Sequence, residues 1–280
     1  MKLIQNRTEI SIAILICYYG KFPWYFPYFL YSCAYNPSVD FIIISDNNYG
    51  HELPGNVTII NRSWEKVKKM IGQRLGFNVQ IEIPYKLCDF KPAYGFLFPE
   101  FVKDYDFWGH GDIDIIFGDI RKFITNEILN KHDLINVRHD MLAGYFTLFK
   151  NHSKTNELFR CSKDYKKVFT SPIYYNFDEA NFMFQEFLDG VPYQQIYSEI
   201  ESMTHVVKRL HEENYIRTYF DFHVIQGNPG RLTWKKGTLM YKNKYEALLY
   251  HLVRFKEMCK PTRMKTIPDT FHISPTRIYT

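Results

Sequence analysis

Two aspartates lie two residues apart in an otherwise apolar run, HGDIDIIFGD, at residues 110–119. On a strand, residues i and i+2 point to the same face, so Asp112 and Asp114 are expected to project together. Two like charges this close are costly unless a cation neutralises them, and carboxylate oxygens suit Mg²⁺ or Mn²⁺. Such an ion often keeps positions open for phosphates, so a diphosphate is the expected ligand. The alternative is a strand end with two solvated aspartates, because a D-x-D string is short and common by chance.

The residues around the pair favour a position at the end of a buried strand. Residues 105–108 (YDFW) and 115–117 (IIF) read as one buried strand that carries the carboxylates. Gly109 and Gly111 lack side chains and are expected to let a bulky ligand approach the backbone. An EF-hand calcium loop is excluded, because the fourth to sixth positions counted from Asp112 are apolar instead of oxygen-bearing or Gly.

The first half of the chain alternates predicted strands with predicted helices. The strands are expected at residues 9–19, 39–45 and 57–61, and the helices at 24–35, 63–75 (with Ser63 as N-cap) and 86–103. This alternation predicts an α/β fold with a mostly parallel central sheet flanked by helices. Ligands of such sheets bind beyond the carboxyl ends of the strands, where Asp46 and Asp112 both lie.

The second half is less regular and predicts a smaller, mixed C-terminal part. We expect strands at 133–137 and 145–149, a helix at 178–188, and a hairpin at 232–241 that turns at a Lys-Gly pair. Residues 245–258 are expected to be helical or extended. The whole is predicted to be one domain over residues 1–260, followed by a basic, partly irregular tail at 261–280.

Composition narrows the class of protein. Of the 280 residues, 46% are hydrophobic and 23% charged, which is typical of a globular domain with ample core. The net charge of +5 is diffuse, and the absence of a dense basic run argues against nucleic-acid binding. Five cysteines without pattern indicate free thiols in a reducing compartment. The apolar run at 10–19 is too short to span a bilayer and lacks a cleavage site, so a cytoplasmic setting is expected.

Five segments, taken together and in order, resemble the nucleotide-sugar-dependent glycosyltransferases of the GT-A fold. They are KLCDFKPAYG at 86–95, GHGDIDIIFGD at 109–119, GYFTLFKN at 144–151, FDE at 177–179 and YHLVRFK at 250–256. The resemblance covers roughly residues 9–256 and is strongest to a little-characterised bacterial group found with capsule, lipopolysaccharide or exopolysaccharide synthesis. It implies a GT-A-like domain with a nucleotide-sugar half at 1–120 and an acceptor half at 121–260.

The resemblance implies a metal centre and part of a donor site. Asp112 and Asp114 match the metal-binding D-x-D motif, and His251 matches a late histidine that completes the metal shell. Asp89 and Lys91 match an acidic-then-basic pair at a helix start that contacts the nucleotide sugar. The alternatives are a packed histidine for His251 and a helix cap with a solvated lysine for the other two.

Four further positions are assigned in the same way. Asp46 falls where a residue of this fold contacts the base or ribose of the nucleotide, and the alternative is a turn aspartate. Gly111 is expected to lie against the donor. Asp178 or Glu179 falls where a carboxylate on the acceptor side lies, and because neighbours on a helix do not share a face, one of them is expected to act. Their alternative is a pair of N-terminal helix carboxylates favoured by the helix dipole.

The implied function is a metal-dependent glycosyltransferase that uses Mn²⁺ or Mg²⁺. It would move a sugar from a nucleoside-diphosphate sugar, with UDP-sugar favoured, to a glycan or lipid-linked acceptor in bacterial surface polysaccharide synthesis. Peripheral association with the inner face of the membrane is compatible with the basic charge. In an inverting enzyme Asp178 or Glu179 would be the general base, whereas a retaining enzyme needs none.

Two other classes of function remain open. A nucleotidyltransferase also uses closely spaced aspartates for two-metal chemistry, but it typically has a Gly-Ser pair shortly before them, and none precedes Asp112. A non-catalytic carbohydrate-binding protein could keep the fold without the reaction. The presence of the aspartates, His251 and the acidic pair in one chain argues against it.

Overall fold

The computed structural model describes residues 9–259 and 266–280 of the chain. Within these ranges the strands, in chain order, are β1 (Ile12–Cys17), β2 (Val39–Ser45), β3 (Val57–Asn61), β4 (Phe107–Gly111), β5 (Ile115–Phe117), β6 (Leu134–Asn136), β7 (Phe146–Lys150), β8 (Thr218–Phe220), β9 (Val224–Ile225), β10 (Leu232–Lys235), β11 (Thr238–Tyr241), β12 (Tyr245–Ala247), β13 (Leu249–His251), β14 (Thr270–Ile273) and β15 (Ile278–Tyr279).

The helices in the same ranges are mostly short. They are α1 (Phe26–Ala34), α2 (Trp64–Leu75), α3 (Tyr94–Leu97), α4 (Pro99–Val102), α5 (Ile120–Phe123), α6 (Asn126–Lys131), α7 (Ser153–Asn156), α8 (Tyr165–Thr170), α9 (Phe184–Leu188), α10 (Met203–Glu212) and α11 (Phe255–Met258). Three 3₁₀ segments accompany them, at Pro84–Ala93, Leu158–Cys161 and Tyr193–Gln195.

Seven strands form the central sheet, in the order β3-β2-β1-β4-β7-β6-β8. Strands β3, β2, β1 and β4 are parallel, as are β6 and β8, while β7 runs antiparallel to both β4 and β6. The predicted α/β class with a mostly parallel sheet is therefore confirmed. Strand β1 is covered on both faces, which explains why its sequence, IAILIC, is continuously apolar instead of alternating.

The two faces of the sheet pack against different helices. Ala13 and Leu15 of β1 share one core with α2, and Ile12 and Ile14 share another with α1. Helix α2 begins as predicted, because the Ser63 hydroxyl accepts the backbone N–H of Lys66 at 3.4 Å. Together these layers fix the carboxyl ends of the parallel strands at one edge of the molecule.

The expected strand through the two aspartates is interrupted. Strand β4 ends at Gly111, and the chain resumes as β5 at Ile115 in a different, three-stranded sheet of order β5-β13-β9. Asp112 and Asp114 therefore occupy a link between two sheets, and the alternation of a single strand does not orient them. The buried apolar residues that follow, Ile115–Phe117, belong to the second sheet.

Two predicted helices are shorter than expected. Residues 86–103 form a 3₁₀ segment and two single-turn helices, because Pro92 and Pro99 lack the N–H that a continuous helix needs. The helix expected at 178–188 is limited to α9. It is preceded by Asn176, Asn181 and Phe182, which have positive φ angles that an α-helix does not accommodate.

The C-terminal residues form part of the folded structure. A five-stranded antiparallel sheet has the order β12-β11-β10-β14-β15, with the predicted hairpin turn between β10 and β11. Strand β14 thus lies inside a sheet, whereas the sequence predicts a basic, partly irregular tail at 261–280, of which residues 261–265 lie outside the described ranges. Phe271 of β14 is 1% exposed and packs against Trp234 and Tyr28, with ring centroids 5.1 and 5.4 Å away.

All five cysteines are free thiols, as predicted. Among the described residues, none of the helices has both the length and the apolar character needed to cross a bilayer.

Replacing Phe271 with alanine tests whether the C-terminal strands belong to the core. We expect Phe271→Ala to lower the free energy of unfolding by about 3–5 kcal/mol, because a buried aromatic side chain leaves a cavity. Urea denaturation followed by tryptophan fluorescence measures it. Tyr197→Ala, at an aromatic that is 93% exposed, is the control and should change stability by less than about 0.5 kcal/mol. Equal small effects would show that β14 contributes nothing to the core.

Candidate active site

Asp112 and Asp114 are held by backbone hydrogen bonds to segments distant in sequence. The Asp112 N–H donates to the carbonyl of Tyr145 at 3.2 Å, and the Asp114 carbonyl accepts the N–H of Leu252 at 2.8 Å. These bonds anchor both ends of the link between β4 and β5. The direction of the two carboxylates is therefore set by the junction of the two sheets.

His251 is brought to the pair by strand pairing. Strands β5 and β13 are antiparallel, with His251 opposite Ile115, the residue that follows Asp114. Its Nε2 lies 3.5 Å from Asp114 Oδ2, and its ring packs on that of Tyr145 at a centroid distance of 4.1 Å. Potential ligand atoms of Asp112, Asp114 and His251 all lie within 4.8 Å of one another. The three residues expected to form a metal centre are thus together in space.

Two lysines neutralise the aspartates. Lys91 Nζ lies 2.7 Å from Asp112 Oδ1, and Lys256 Nζ lies 2.7 Å from Asp114 Oδ2. Burial alone would raise the pKa of Asp114, but the hydrogen bond from His251 and the charge and hydrogen bond of Lys256 outweigh burial and lower that pKa. Asp114 is therefore a carboxylate at neutral pH.

The potential ligand atoms of these three residues suit a hard divalent cation. Two carboxylates and one imidazole are ligands that Mn²⁺ accepts readily, and Mg²⁺ favours the oxygens. In the structure the two ammonium groups balance the two carboxylates. When a cation binds together with an anionic ligand, the net charge of the site stays balanced if the lysine side chains turn from the aspartates to the anion. The site thus combines ligands for a cation with counter-charges for an anion.

Lys91 also connects Asp112 to the opposite wall of the site. Its ammonium donates to the Gly144 carbonyl at 2.9 Å and lies 3.7 Å from Asp178 Oδ2. Burial disfavours the charged lysine, yet the carboxylates around it, Asp112 above all, raise its pKa. Lys91 is thus a buried cation shared by both walls, not a solvated lysine.

Gly144 allows the turn that carries the acidic pair to pack closely. Its N–H donates to Glu179 Oε1 at 2.8 Å. A Cβ at this position would overlap the Asp178 carboxylate and would lie 2.8 Å from Glu179 Cγ. A side chain at residue 144 therefore requires the turn to move.

Asp178 and Glu179 lie on this turn, not on the helix that was expected to carry them, and their surroundings differ. The Glu179 oxygens accept from the Gly144 N–H and from Asn176 Nδ2, the latter at 2.8 Å. Asp178 Oδ1 is buried and has no hydrogen-bond partner among the described residues. Burial raises the pKa of Asp178 more than Lys91 lowers it. Asp178 is thus the member of the pair that is free to accept a proton.

Asp89 has contacts that differ from those the resemblance implied. It is completely buried, and its Oδ2 accepts from Lys86 Nζ at 2.8 Å and from the Tyr175 N–H at 2.9 Å. Its Oδ1 accepts the Phe177 N–H at 2.8 Å. Asp89 therefore anchors the segment that leads into Asp178 and does not line the cavity.

Asp46 and Gly111 also lie outside the cavity lining. Asp46 is exposed at the end of β2, and β1 separates that strand from β4. A Cβ at Gly111 would lie 3.1 Å from Ile14 and 3.4 Å from the Tyr145 carbonyl. On the side where a Cβ would project, neighbouring strands fill the space, so Gly111 allows close packing there. Its expected contact with the donor stays a prediction.

A cavity of about 600 Å³ opens over the two aspartates. Its ionisable lining comprises the residues already described: Lys91, Asp112, Asp114, Asp178, Glu179, His251 and Lys256. Its aromatic lining is Tyr18, Tyr19, Tyr25, Tyr85, Tyr145, Tyr174, Phe182 and Phe184. Sequence analysis did not identify Lys256 or these aromatics. The signal for Lys256 was its position five residues after His251, whereas the aromatics were hidden among 22 Tyr and 24 Phe.

The packing at Gly144 can be tested by adding one methyl group. We expect Gly144→Ala to lower the free energy of unfolding by about 1–3 kcal/mol, because the Asp178–Glu179 turn must shift. Urea denaturation measures the loss. Gly55→Ala is the matched control, since Gly55 is exposed and a Cβ there meets nothing within 4 Å. If both variants are equally stable, the turn does not depend on the missing side chain.

Comparisons with known proteins give a family and several structural neighbours. Solved structures similar to this chain include the galactosyltransferase LgtC in complex with donor and acceptor sugar analogs (TM-score 0.36, 12% identity, 76% of this chain and 75% of that chain). Others are the glycosyltransferase GlyE of Streptococcus pneumoniae TIGR4 (0.35, 12%, 76% and 45%) and mouse xyloside xylosyltransferase 1 in its apo form (0.44, 8%, 87% and 97%).

No curated protein matches the sequence. One family model matches residues 14–280, which is nearly the whole chain, and its description is "Family of unknown function (DUF6625)". The chain therefore belongs to the DUF6625 family.

Proposed function

We propose that this protein is a metal-dependent glycosyltransferase that moves a sugar from a nucleoside-diphosphate sugar to a hydroxyl acceptor. The observation that carries the proposal is the cluster of Asp112, Asp114 and His251 at the base of a cavity, with Lys91 and Lys256 bound to its carboxylates. A metal–diphosphate complex requires ligands for the metal ion and positive charges for the diphosphate, and this site has both. The cavity volume is in the range of small-ligand sites.

In this proposal Asp112, Asp114 and His251 hold Mn²⁺ or Mg²⁺. The bound ion supplies a positive charge that stabilises the leaving diphosphate. Lys91 and Lys256 exchange their aspartate partners for phosphate oxygens when the donor binds. Both ammonium groups are point charges that bind phosphate oxygens from several directions.

On the acceptor side, Asp178 is the general base of an inverting reaction. Asp178 lines the cavity, one of its oxygens has no hydrogen-bond partner among the described residues, and the raised pKa makes its carboxylate a stronger proton acceptor. It takes the proton of the acceptor hydroxyl as the acceptor oxygen bonds to the anomeric carbon. The bond between that carbon and the diphosphate breaks in the same step and releases the nucleoside diphosphate. Glu179 instead orients the turn, because both of its oxygens are engaged.

The remaining assignments follow from position. Asp89 acts as a positioning residue, since its bonds to the backbone of Tyr175 and Phe177 hold the segment before Asp178. Asp46 is assigned to the base or ribose of a nucleotide that extends towards the end of β2. Gly111 serves the packing of β4 on β1.

The substrates are proposed from the chemistry of the cavity and from the sequence motifs. Eight aromatic side chains in the lining suit stacking on a sugar and on a nucleobase. The motifs favour a UDP-sugar donor and a glycan or lipid-linked acceptor in bacterial surface polysaccharide synthesis. With a lipid-linked acceptor, the protein would work at the inner face of the membrane.

Metal dependence is the first test of this function. We expect UDP to bind with Mn²⁺ or Mg²⁺ present and to lose calorimetrically detectable binding in EDTA or in Asp112→Ala and Asp114→Ala, because the carboxylates hold the ion. Glu52→Ala, which removes an exposed acid outside the cavity lining, should bind as the unmodified protein does. Equal affinity in EDTA and in Mn²⁺ would contradict the proposal.

The role of Asp178 as general base is tested by comparing variants of Asp178 and of its neighbour Glu179. We expect Asp178→Asn to slow UDP release from UDP-glucose, UDP-galactose or UDP-N-acetylglucosamine, with water as acceptor, by about 10²–10⁴-fold. UDP binding should persist. Glu179→Gln keeps an oxygen for the Gly144 N–H and should slow the reaction far less. A larger loss in Glu179→Gln, or a normal rate in Asp178→Asn, would remove Asp178 from this role. Pyrophosphate as the product would indicate a nucleotidyltransferase.

A further inference from the structure

Gln226 lies between His251 and a buried arginine. Its Oε1 accepts a hydrogen bond from Arg138 Nη1, and its Nε2 lies 3.2 Å from His251 Nδ1. Arginine is only a donor, so the oxygen of the amide must face Arg138. The NH₂ group of the amide is therefore directed at the histidine.

Arg138 is itself held firmly. Its Nε donates to Asp140 Oδ1 at 2.8 Å, its Nη2 bonds Asp140 Oδ2, and the Asp140 Oδ1 also accepts the Met141 N–H at 2.9 Å. Both Arg138 and Asp140 are buried. The amide orientation of Gln226 is thus anchored in a buried ion pair, which is costly to break.

This arrangement selects one tautomer of the imidazole. Because the Gln226 NH₂ only donates, His251 Nδ1 must accept, and in a neutral ring the proton then resides on Nε2. That Nε2 is the nitrogen 3.5 Å from Asp114 Oδ2, so the N–H faces the carboxylate. A protonated Nε2 has no lone pair for a metal ion.

We propose that Arg138 and Gln226 lock His251 in the Nε2–H tautomer, which makes it a hydrogen-bond donor to Asp114 and opposes its use as a metal ligand. Ligation through Nε2 moves the proton to Nδ1, where it meets the Gln226 NH₂. Rotating the amide relieves that conflict but turns the NH₂ towards Arg138. Gln226 is thus a positioning residue that weakens metal binding. This effect on metal binding rests on the proposed function, whereas the assignment of the tautomer is independent of it.

The tautomer can be read directly from the unmodified protein without metal or nucleotide. In protein labelled with ¹⁵N-histidine, at a pH where an ordinary imidazole is neutral, long-range ¹H–¹⁵N spectra distinguish the two tautomers. The signals of His251 are identified by their loss in His251→Gln. We expect a protonated Nε2 and an unprotonated Nδ1. A proton on Nδ1 would overturn the lock.

Metal affinity tests the consequence, with Mn²⁺ alone as the probe in calorimetry. Gln226→Glu offers acceptors to both Arg138 and an Nδ1–H, so it should bind Mn²⁺ about tenfold more tightly than the unmodified protein. Gln226→Leu removes the opposing donor without adding charge, and it should also bind more tightly, though less so. Gln195→Glu adds the same charge at an exposed position outside the cavity lining and should change little.

The outcomes separate the lock from the proposed function. Weaker or unchanged Mn²⁺ binding in Gln226→Leu would show that Gln226 does not oppose ligation. If Gln226→Glu binds Mn²⁺ more tightly but Gln226→Leu does not, the added charge explains the effect. The proposed role of Gln226 in metal affinity would then be wrong. If neither the variants nor the unmodified protein binds Mn²⁺, the proposed metal centre is wrong, and the ¹H–¹⁵N spectra still determine the tautomer.

Discussion

The balance of charge around Asp112 and Asp114 is the constraint on which the rest of the site depends. Two carboxylates within a few ångströms, one of them nearly buried, repel each other and lose hydration. Lys91 and Lys256 remove that cost by direct contact. A buried ion pair is a weak source of stability, so this arrangement is better explained by a function that uses its charges.

The fold brings these charges together from four separated parts of the chain. The 3₁₀ segment Pro84–Ala93 carries Lys91, the link between β4 and β5 carries the aspartates, and the region from β13 to α11 carries His251 and Lys256. The turn with Asp178 completes the wall and packs on Gly144. Because each part is fixed by sheet pairing or by a buried polar contact, the site is largely formed before any ligand binds. In the proposed function, the lysine side chains and the histidine tautomer are the parts that rearrange when metal and donor bind.

Much of the fold follows from the sequence because local signals and tertiary structure agree there. The continuous apolar runs of β1 and β2 and the Ser63 cap of α2 could be identified directly. The spacing of Asp112 and Asp114 predicted that they would lie together, and they do. The cause differs from the predicted one. A junction between two sheets orients the side chains, and strand alternation predicts nothing about such a junction.

The parts that were missed depend on long-range pairing. Lys256 and Gln226 reach the site only because β13 lies between β5 and β9, and no local pattern indicates which strands will be neighbours. Asp89 was expected to contact a nucleotide, yet its burial is decided by Lys86 and by backbone groups some 86 residues away. The sequence predicts a helix where the Asp178 turn lies, because positive φ angles at non-glycine residues have a weak sequence signature.

Anomalous diffraction from crystals grown with Mn²⁺ and UDP distinguishes a metal–diphosphate site from a cluster of structural ion pairs. We expect one strong manganese peak between Asp112, Asp114 and His251, with Lys91 and Lys256 turned from the aspartates to the diphosphate. A manganese peak elsewhere, or UDP bound with both lysines still on their aspartates and no metal between them, would contradict it.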